Sequence, residues 1–280
     1  MSSAARSMED REFAFSDREF RILADLAQAR TGIVLAEHKK DMVYSRLVRR
    51  LRALNLPSFA AYCALVQSHE GADEIGHLVN AITTNLTRFF RETHHFEHLR
   101  DQVLAPMVKA KNKRLRIWSA GCSAGMEPYS IAMTAQSAIA DVDTWDARIL
   151  ATDIDTNMLA TGMQGEYAAE QYEHIPAAYR ADVALSPGGD RIQMSDRLRQ
   201  RIAFKPLNLL EHWPMKGPFD VVFCRNVVIY FDKPTQAKLF SRIADLLVPD
   251  GWLYIGHSEN LFNVCDRFEL VGRTIYRKVR

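Results

Sequence analysis

The sequence predicts an α/β fold, a doubly wound Rossmann-like domain behind a small helical one, and three observations carry that reading. The first is the stretch Leu115 to Ala132, LRIWSAGCSAGMEPYSIA, which passes from apolar residues through a cluster of small ones into helical spacing. Leu115, Ile117 and Trp118 suit a short buried parallel strand, and the run from Gly121 to Gly125 lets backbone come close to a ligand. Pro128 suits the first turn of a helix that continues through Ile131, Ala132, Ala135, Ala138 and Ile139. Strand, turn and helix of this kind form the nucleotide-side corner of a doubly wound sheet. The second observation is that the first 85 residues hold helical periodicity and no strand signal. The third is that the chain ends in two short strand-like segments around Gly272-Arg273. The central turn lacks a full G-x-G-x-x-G, which leaves an ordinary βα turn open as a reading. It also lacks the G-K-[ST] of a nucleoside-triphosphate loop.

Of the 280 residues, 48% are hydrophobic and 25% charged, as in an ordinary globular protein, and the net charge of +2 leaves electrostatic recognition to local patches. Cys63, Cys122, Cys224 and Cys265 show no C-x-x-C pairing and no histidine at metal spacing, which predicts reduced thiols and no metal. The opening MSSAARSMED has no apolar core of a signal peptide, and no apolar run reaches membrane-spanning length. The expectation is a cytoplasmic monomer that neither enters a membrane nor binds nucleic acid.

Taken in order, residues up to about Glu12 are small and polar and are expected to fray. Ser16-Asp17 offers an N-cap to a helix with Phe20, Leu23, Ala24 and Ala27 on one face, and Gly32 stops it. A second helix is predicted from Lys40 to Leu54, with Val43, Leu47, Leu51 and Leu54 inward and Arg46, Arg49, Arg50 and Arg52 on the other side. Between His38 and Arg52, six Lys or Arg meet a single acid, Asp41. A solvated face accounts for such a run, but arginines without acidic partners repel one another along a helix, which favours a docking surface for something acidic. Pro57-Ser58 opens a third helix and Glu74 to Thr83 forms a fourth. The chain therefore divides into a helical domain at 1–85, a linker at 86–92 and an α/β domain at 93–280.

The linker region NLTRFFRE, Asn85 to Glu92, mixes capping residues with two phenylalanines and two arginines, which is odd for a plain connection. A helix through Phe96, Leu99, Val103 and Met107 leads to the central strand. Ala147 to Asp153 reads as a second strand ending in an acid, with Asp155 close behind. An acid there either holds ribose hydroxyls or caps the next helix, and two acids can fill both roles. Residues 165–201 read as an insertion, in which Val183–Leu185 and Ile192–Met194 flank the turn Ser186–Asp190 as a hairpin. A third strand is predicted from Arg201 to Leu210 and a fourth at Phe219–Cys224, running into Arg225-Asn226. An amphipathic helix from Asp232 to Leu247 and a fifth strand at Gly251–Ile255 follow. Phe268–Val271 and Thr274–Arg277 close the sheet as an antiparallel hairpin. That layout is the one used by class I S-adenosylmethionine-dependent methyltransferases rather than by dehydrogenases.

The segments TTNLTRFFRE, WSAGCSAGMEPYSIA, ATDID, FCRNVVIYFDKPTQ and GHSEN together resemble the chemotaxis receptor methyltransferase (CheR) family, as does GIVLAEHKKDMVYSRLVRRLRAL in the helical domain. The resemblance spans nearly the whole chain. It implies transfer of a methyl group from S-adenosylmethionine to glutamate side chains of transmembrane chemoreceptors, giving methyl esters and S-adenosylhomocysteine. It places Asn85, Thr87 and Arg91 in the linker that touches the cofactor or active site, and Glu127 after the small-residue turn. It gives the ribose to Asp153, the neighbourhood of the adenine to Asn208 and Leu209, and the end of the fourth strand to Arg225 and Asn226. Tyr230 matches an active-site aromatic, although a core aromatic at a strand end reads the same way. Arg46, Arg49 and Arg50 match a surface for the receptor's methylation helices, and the inserted hairpin one for a receptor tail peptide. Where many members have Thr-Gly-Glu-Glu-Pro in the central turn, this chain has Ala124-Gly125-Met126-Glu127-Pro128.

The chemistry agrees with those residues. A glutamate carboxylate is ionised at neutral pH, so methyl transfer to it calls for alignment and removal of water rather than a base. Arg91 suits the cofactor's carboxylate or the incoming glutamate, and Tyr230 suits a wall along the methyl path. Two other readings stay open on the residues alone: a methyltransferase for a small molecule or RNA, and a cofactor-sensing module without turnover. The basic helix lacks the aromatic interleaving of an RNA surface, and both Arg91 and Tyr230 are present.

Overall fold

The computed structural model describes residues 11–280, so the stretch expected to fray and the opening read for a signal peptide lie, up to residue 10, outside the described residues. The chain forms two compact units, Met1–Thr84 and Asn85–Arg280.

In the first unit, α1 (Asp17–Thr31) begins at Ser16, whose side chain accepts the amide of Glu19 while Glu19 reaches back to the Ser16 amide at 2.6 Å. That reciprocal cap fixes the helix start, and Gly32 ends it at φ 74°. A short 3-10 turn at Glu37–Lys39 leads into α2 (Lys40–Ala53), followed by α3 (Phe59–Gln67) and α4 (Ala72–Ile82). Leu23, Val43, Leu47, Leu51, Phe59, Tyr62 and Leu78 form its core.

The basic side of α2 departs from the expectation. Arg50 grips Glu74 with two parallel bonds, Nε to Oε1 at 2.9 Å and Nη2 to Oε2 at 2.6 Å, and the buried Glu74 also accepts the Tyr62 hydroxyl. Arg46 donates to the carbonyls of Ala81 and Thr83, at 3.2 and 2.6 Å, and Arg52 pairs with Glu12. The reading of arginines without acidic partners is therefore corrected. Their partners lie 24 and 40 residues away, where helical spacing cannot reveal them. Arg49 remains exposed.

The second unit opens with α5 (His94–His98), a π-helical segment at Leu99–Leu104, and α6 (Ala105–Lys109). Pro106, with no amide to donate, is a physical reason for the widened turns ahead of it. Then come β1 (Arg114–Ala120), α7 (Met126–Ala138), β2 (Asp146–Asp153) and α8 (Thr156–Gln164). The insertion holds β3 (Glu166–Ala168), β4 (Val183–Leu185), β5 (Arg191–Met194) and the single turn α9 (Asp196–Arg199). The fold ends with β6 (Ile202–Pro206), β7 (Phe219–Cys224), α10 (Lys233–Leu246), β8 (Leu247–Ile255), β9 (Phe268–Gly272) and β10 (Ile275–Lys278).

The main sheet runs β6-β2-β1-β7-β8-β10-β9, parallel from β6 to β8, with β10 antiparallel to both of its neighbours. Apolar side chains cover both faces, as a parallel sheet requires. On one, Ile117 and Ile149 meet Tyr129 and Ile131 of α7 together with Phe96 and Leu99; on the other, Trp118 and Val222 meet Leu239, Phe240 and Ile243 of α10. From β1 the chain builds outward to β2 and β6, then returns to β7 on the opposite side. The C-terminal ends of β1 and β7 thus frame the crevice where such sheets bind ligands. Two strand expectations change. β6 stops at Pro206, before Asn208, and the expected hairpin is a three-stranded sheet, β3-β5-β4, in which β3 supplies the missed third strand.

Candidate active site

The turn after β1 is shaped by close packing. Gly121 holds φ 76°, and a β-carbon there would lie 2.3 Å from Cγ2 of Val227, so a side chain is excluded by conformation and by space together. Ser123 follows in the left-handed region, and its amide donates to Oδ2 of Asp153 at 2.7 Å. Asp153 ends β2 almost buried, with its Oδ1 accepting the Asp155 amide at 2.9 Å. Burial raises its pKa against the pull of those amides. Asp155 takes the other role, capping α8 through the amides of Asn157 and Met158 and accepting Asn85 Nδ2 at 2.7 Å. Of the two jobs that the sequence left open, Asp155 therefore does the capping.

Phe89 and Phe90 anchor the linker. Both are buried; Phe89 meets Tyr167 edge-on, and Phe90 stacks on Tyr179 at 4.7 Å. Phe90 and Glu92 both hold positive φ, a strain that recurs where side chains must be aimed. Half-buried Arg91 turns back to donate to the Leu86 carbonyl at 3.0 Å, and Thr87 is half-buried between them.

Arg225, at the end of β7, lies between two acids. Its Nη1 is 3.0 Å from Glu127 Oε2, its Nη2 is 3.5 Å from Glu92 Oε2 and also donates to the Arg91 carbonyl, and only 2% of the side chain is exposed. Glu127, in the first turn of α7, accepts the Ser119 hydroxyl at 2.8 Å; burial raises its pKa despite Arg225. Burial pushes Glu92 up as well, but Arg225 and His257 outweigh it and hold it below the usual carboxylate value. His95 is buried, with Nε2 3.0 Å from the Thr274 hydroxyl, and burial with the nearby Arg225 charge pushes its pKa down to about 2. Glu92, His94 and His95 bring donor atoms within 4.8 Å, a metal-like spacing, yet the Arg225 guanidinium already supplies positive charge beside Glu92.

Asn226 holds φ 59°, and Tyr230 is half-buried on the 3-10 turn Val228–Tyr230, so it is not a core aromatic. Asn208 Oδ1 accepts the Leu210 amide and its Nδ2 donates to Glu211, while Leu209 is buried in the core beside α10. Sequence reasoning assigned no role to Glu92, His257 or Glu259, although the quoted FFRE and GHSEN segments contain all three.

A seven-stranded sheet with one antiparallel strand, a small-residue turn at the switch point and an acid ending the second strand define a class I S-adenosylmethionine-dependent methyltransferase. The donor set fits that cofactor, since a carboxylate offers about four acceptor positions and Asp153 gives only some of them to backbone amides. The family described as "CheR methyltransferase, SAM binding domain" matches residues 85–277, and "CheR methyltransferase, all-alpha domain" matches residues 18–83. The chain belongs to the CheR methyltransferase family. It is similar to a probable chemotaxis protein methyltransferase of Rhizobium etli, 47% identical over 88% of this chain and 94% of that protein. It is also similar to chemotaxis protein methyltransferase 2 of Pseudomonas aeruginosa, 43% identical over 95% of both chains. A chemotaxis protein methyltransferase of Escherichia coli is 42% identical over 94% of this chain and 91% of its own length. Among the described residues no helix is long and apolar enough to cross a membrane.

Proposed function

We propose that this enzyme methylates glutamate side chains in the cytoplasmic helices of chemoreceptors, giving glutamate methyl esters and S-adenosylhomocysteine. Membership of the family is the first support. The observation that carries the reading is the state of the buried ionisable groups at the ends of β1, β2 and β7: Glu92 and Glu127 are held on Arg225, Asp153 on backbone amides, and His95 is kept neutral by burial. These four groups are ill suited to taking a proton from an amine or hydroxyl, whereas a substrate carboxylate arrives already ionised. When bound, the cofactor supplies an electrophilic methyl group on a sulfonium.

The chain's own residues hold and align. Asp153 would hold the ribose hydroxyls with its remaining lone pairs, Asn208 and Leu209 would border the adenine, and Asn85, Thr87, Glu127, Arg225 and Asn226 would shape the rest of the cofactor cleft. Arg91 keeps donors beyond the one on Leu86 and uses them on the cofactor carboxylate or the incoming glutamate; Tyr230 walls the methyl path. On α2, Arg49 is the arginine left to meet an acidic receptor face, with Arg46 and Arg50 holding the helix in place. At the insertion, β4 is an edge strand whose Leu185 is 54% exposed, and a receptor tail adds to it by backbone pairing. The protein works as a cytoplasmic monomer. Incubation with labelled S-adenosylmethionine, chemoreceptor-containing membranes and, separately, total RNA tests this. Label enters the receptors only; labelled RNA, or no acceptor at all, would favour the competing readings.

A further inference from the structure

The segment from Arg225 to Tyr230 leaves a parallel strand, reverses at the left-handed Asn226 and makes a single 3-10 turn. Regular structure provides no partner for several of its amides. One buried side chain answers them. Glu259, 6% exposed, accepts the Asn226 amide at 3.0 Å and the Gly256 amide at 2.5 Å through Oε2, and the Val228 amide at 2.9 Å through Oε1. The Ile229 amide also favours its charged form, and amides are the groups that oppose the effect of burial on this carboxylate. Contact on the other side is equally tight: a β-carbon at Gly256 would lie 2.4 Å from Nδ2 of Asn226 and 2.8 Å from its backbone nitrogen. The active-site lip is thus held between a carboxylate and a glycine, both contributed by the loop after β8.

We infer that Glu259 is a positioning residue for methyl transfer, acting through the backbone of Asn226–Tyr230 and touching neither cofactor nor substrate itself. The inference rests on the reading of Asn226 and Tyr230 as active-site residues. An anion is needed because every neighbour it binds is an N–H donor. In a glutamine at 259, one end of the side chain turns N–H groups toward amide N–H groups, and at least one bond is lost. Displacement of the lip by about 1 Å is enough to cost on the order of 100-fold in rate.

The test compares full-length wild type with Glu259→Gln, Glu259→Asp and Gly256→Ala. Calorimetric titration with S-adenosylhomocysteine counts folded sites, and the single-turnover methylation rate is expressed per site. A merely structural role changes the number of sites and leaves the rate per site alone. The expected result is a 10- to 100-fold lower rate per site in Glu259→Gln and Gly256→Ala, with partial rescue in Glu259→Asp. In the cofactor-free protein, the Asn226 and Val228 amides exchange hydrogen at least tenfold faster in Glu259→Gln. Tyr230→Ala and Arg91→Ala serve as controls. If both keep the wild-type rate, the active-site reading itself is wrong. If they lose it while Glu259→Gln and Gly256→Ala keep the rate per site and the protection of those amides, the positioning role alone is overturned. Should Glu259→Gln yield no folded sites, Gly256→Ala decides by the same two measurements.

Discussion

Arg50 and Arg225 are both paired with carboxylates, yet the two sites do different things. Arg50 keeps a quarter of its side chain in solvent and ties α2 to one acid on α4. Arg225 is almost fully buried, is shared between Glu127 and Glu92, and stands at the C-terminal end of a strand bordering the switch-point crevice. Pairing therefore says little about function. Location and sharing say more: a buried cation divided between two acids fixes the cofactor turn, the linker and β7 relative to one another. The Arg50–Glu74 pair, with only the arginine reaching solvent, fastens two helices.

The comparison breaks most visibly at Arg225. Arg225→Met leaves two acids without their common cation and is expected to destabilise the protein by about 3–5 kcal/mol in denaturant unfolding. Adding Glu127→Gln should restore at least about 1 kcal/mol, because one of the uncompensated charges goes with it. Additive losses would mean that the three groups do not act as a unit. Next in size is Asp153→Ala, expected to weaken S-adenosylhomocysteine binding by about 1.5–3 kcal/mol, the range for hydrogen bonds to a charged group. Unchanged calorimetric affinity in a folded variant removes Asp153 from the site.

His95 sharpens the contrast through pH. Its folded pKa is pushed down to about 2, against about 6.5 in an unfolded chain, so between these values the unfolded state holds the extra proton. Its contribution is complete above pH 6.5 and is lost as pH falls below that, by up to about 1.4 kcal/mol per pH unit. Stability of wild type relative to His95→Gln should fall between pH 6.5 and pH 5; a constant difference shows that His95 does not titrate there. The smallest effects belong to α2. Arg50→Ala should cost about 1–2 kcal/mol, since Glu74 stays buried and keeps the Tyr62 hydroxyl but loses the guanidinium. Arg49→Ala should cost under about 0.5 kcal/mol yet reduce receptor methylation and its salt dependence, with cofactor affinity unchanged. Equal methylation at low salt makes Arg49 a solvated residue only.

What the sequence made legible was local. The capped start of α1, the β1 turn and the Asp153-Asp155 pair each declare themselves within a few residues, through caps, small-residue runs and strand ends. What it hid was distant or spread over backbone. Glu74 and Glu12 sit too far along the chain to be matched with α2, and β3, unlike the equally short β4, does not flank the Ser186–Asp190 turn that marked the hairpin. Glu259 was hidden for a different reason: its partners are main-chain amides, which no residue pattern records.

The central claim is that the acceptor is a carboxylate, and the chemistry of the product tests it most directly. Receptors labelled by this enzyme from S-adenosylmethionine, isolated and held in mild base, should release the label as volatile methanol, as methyl esters do. Single-turnover transfer should also stay nearly flat from about pH 6 to pH 8.5, because no proton has to be removed from the acceptor. Label that survives base, joined to a rate rising with a midpoint near 7, would place the methyl group on nitrogen or on a hydroxyl and contradict the account.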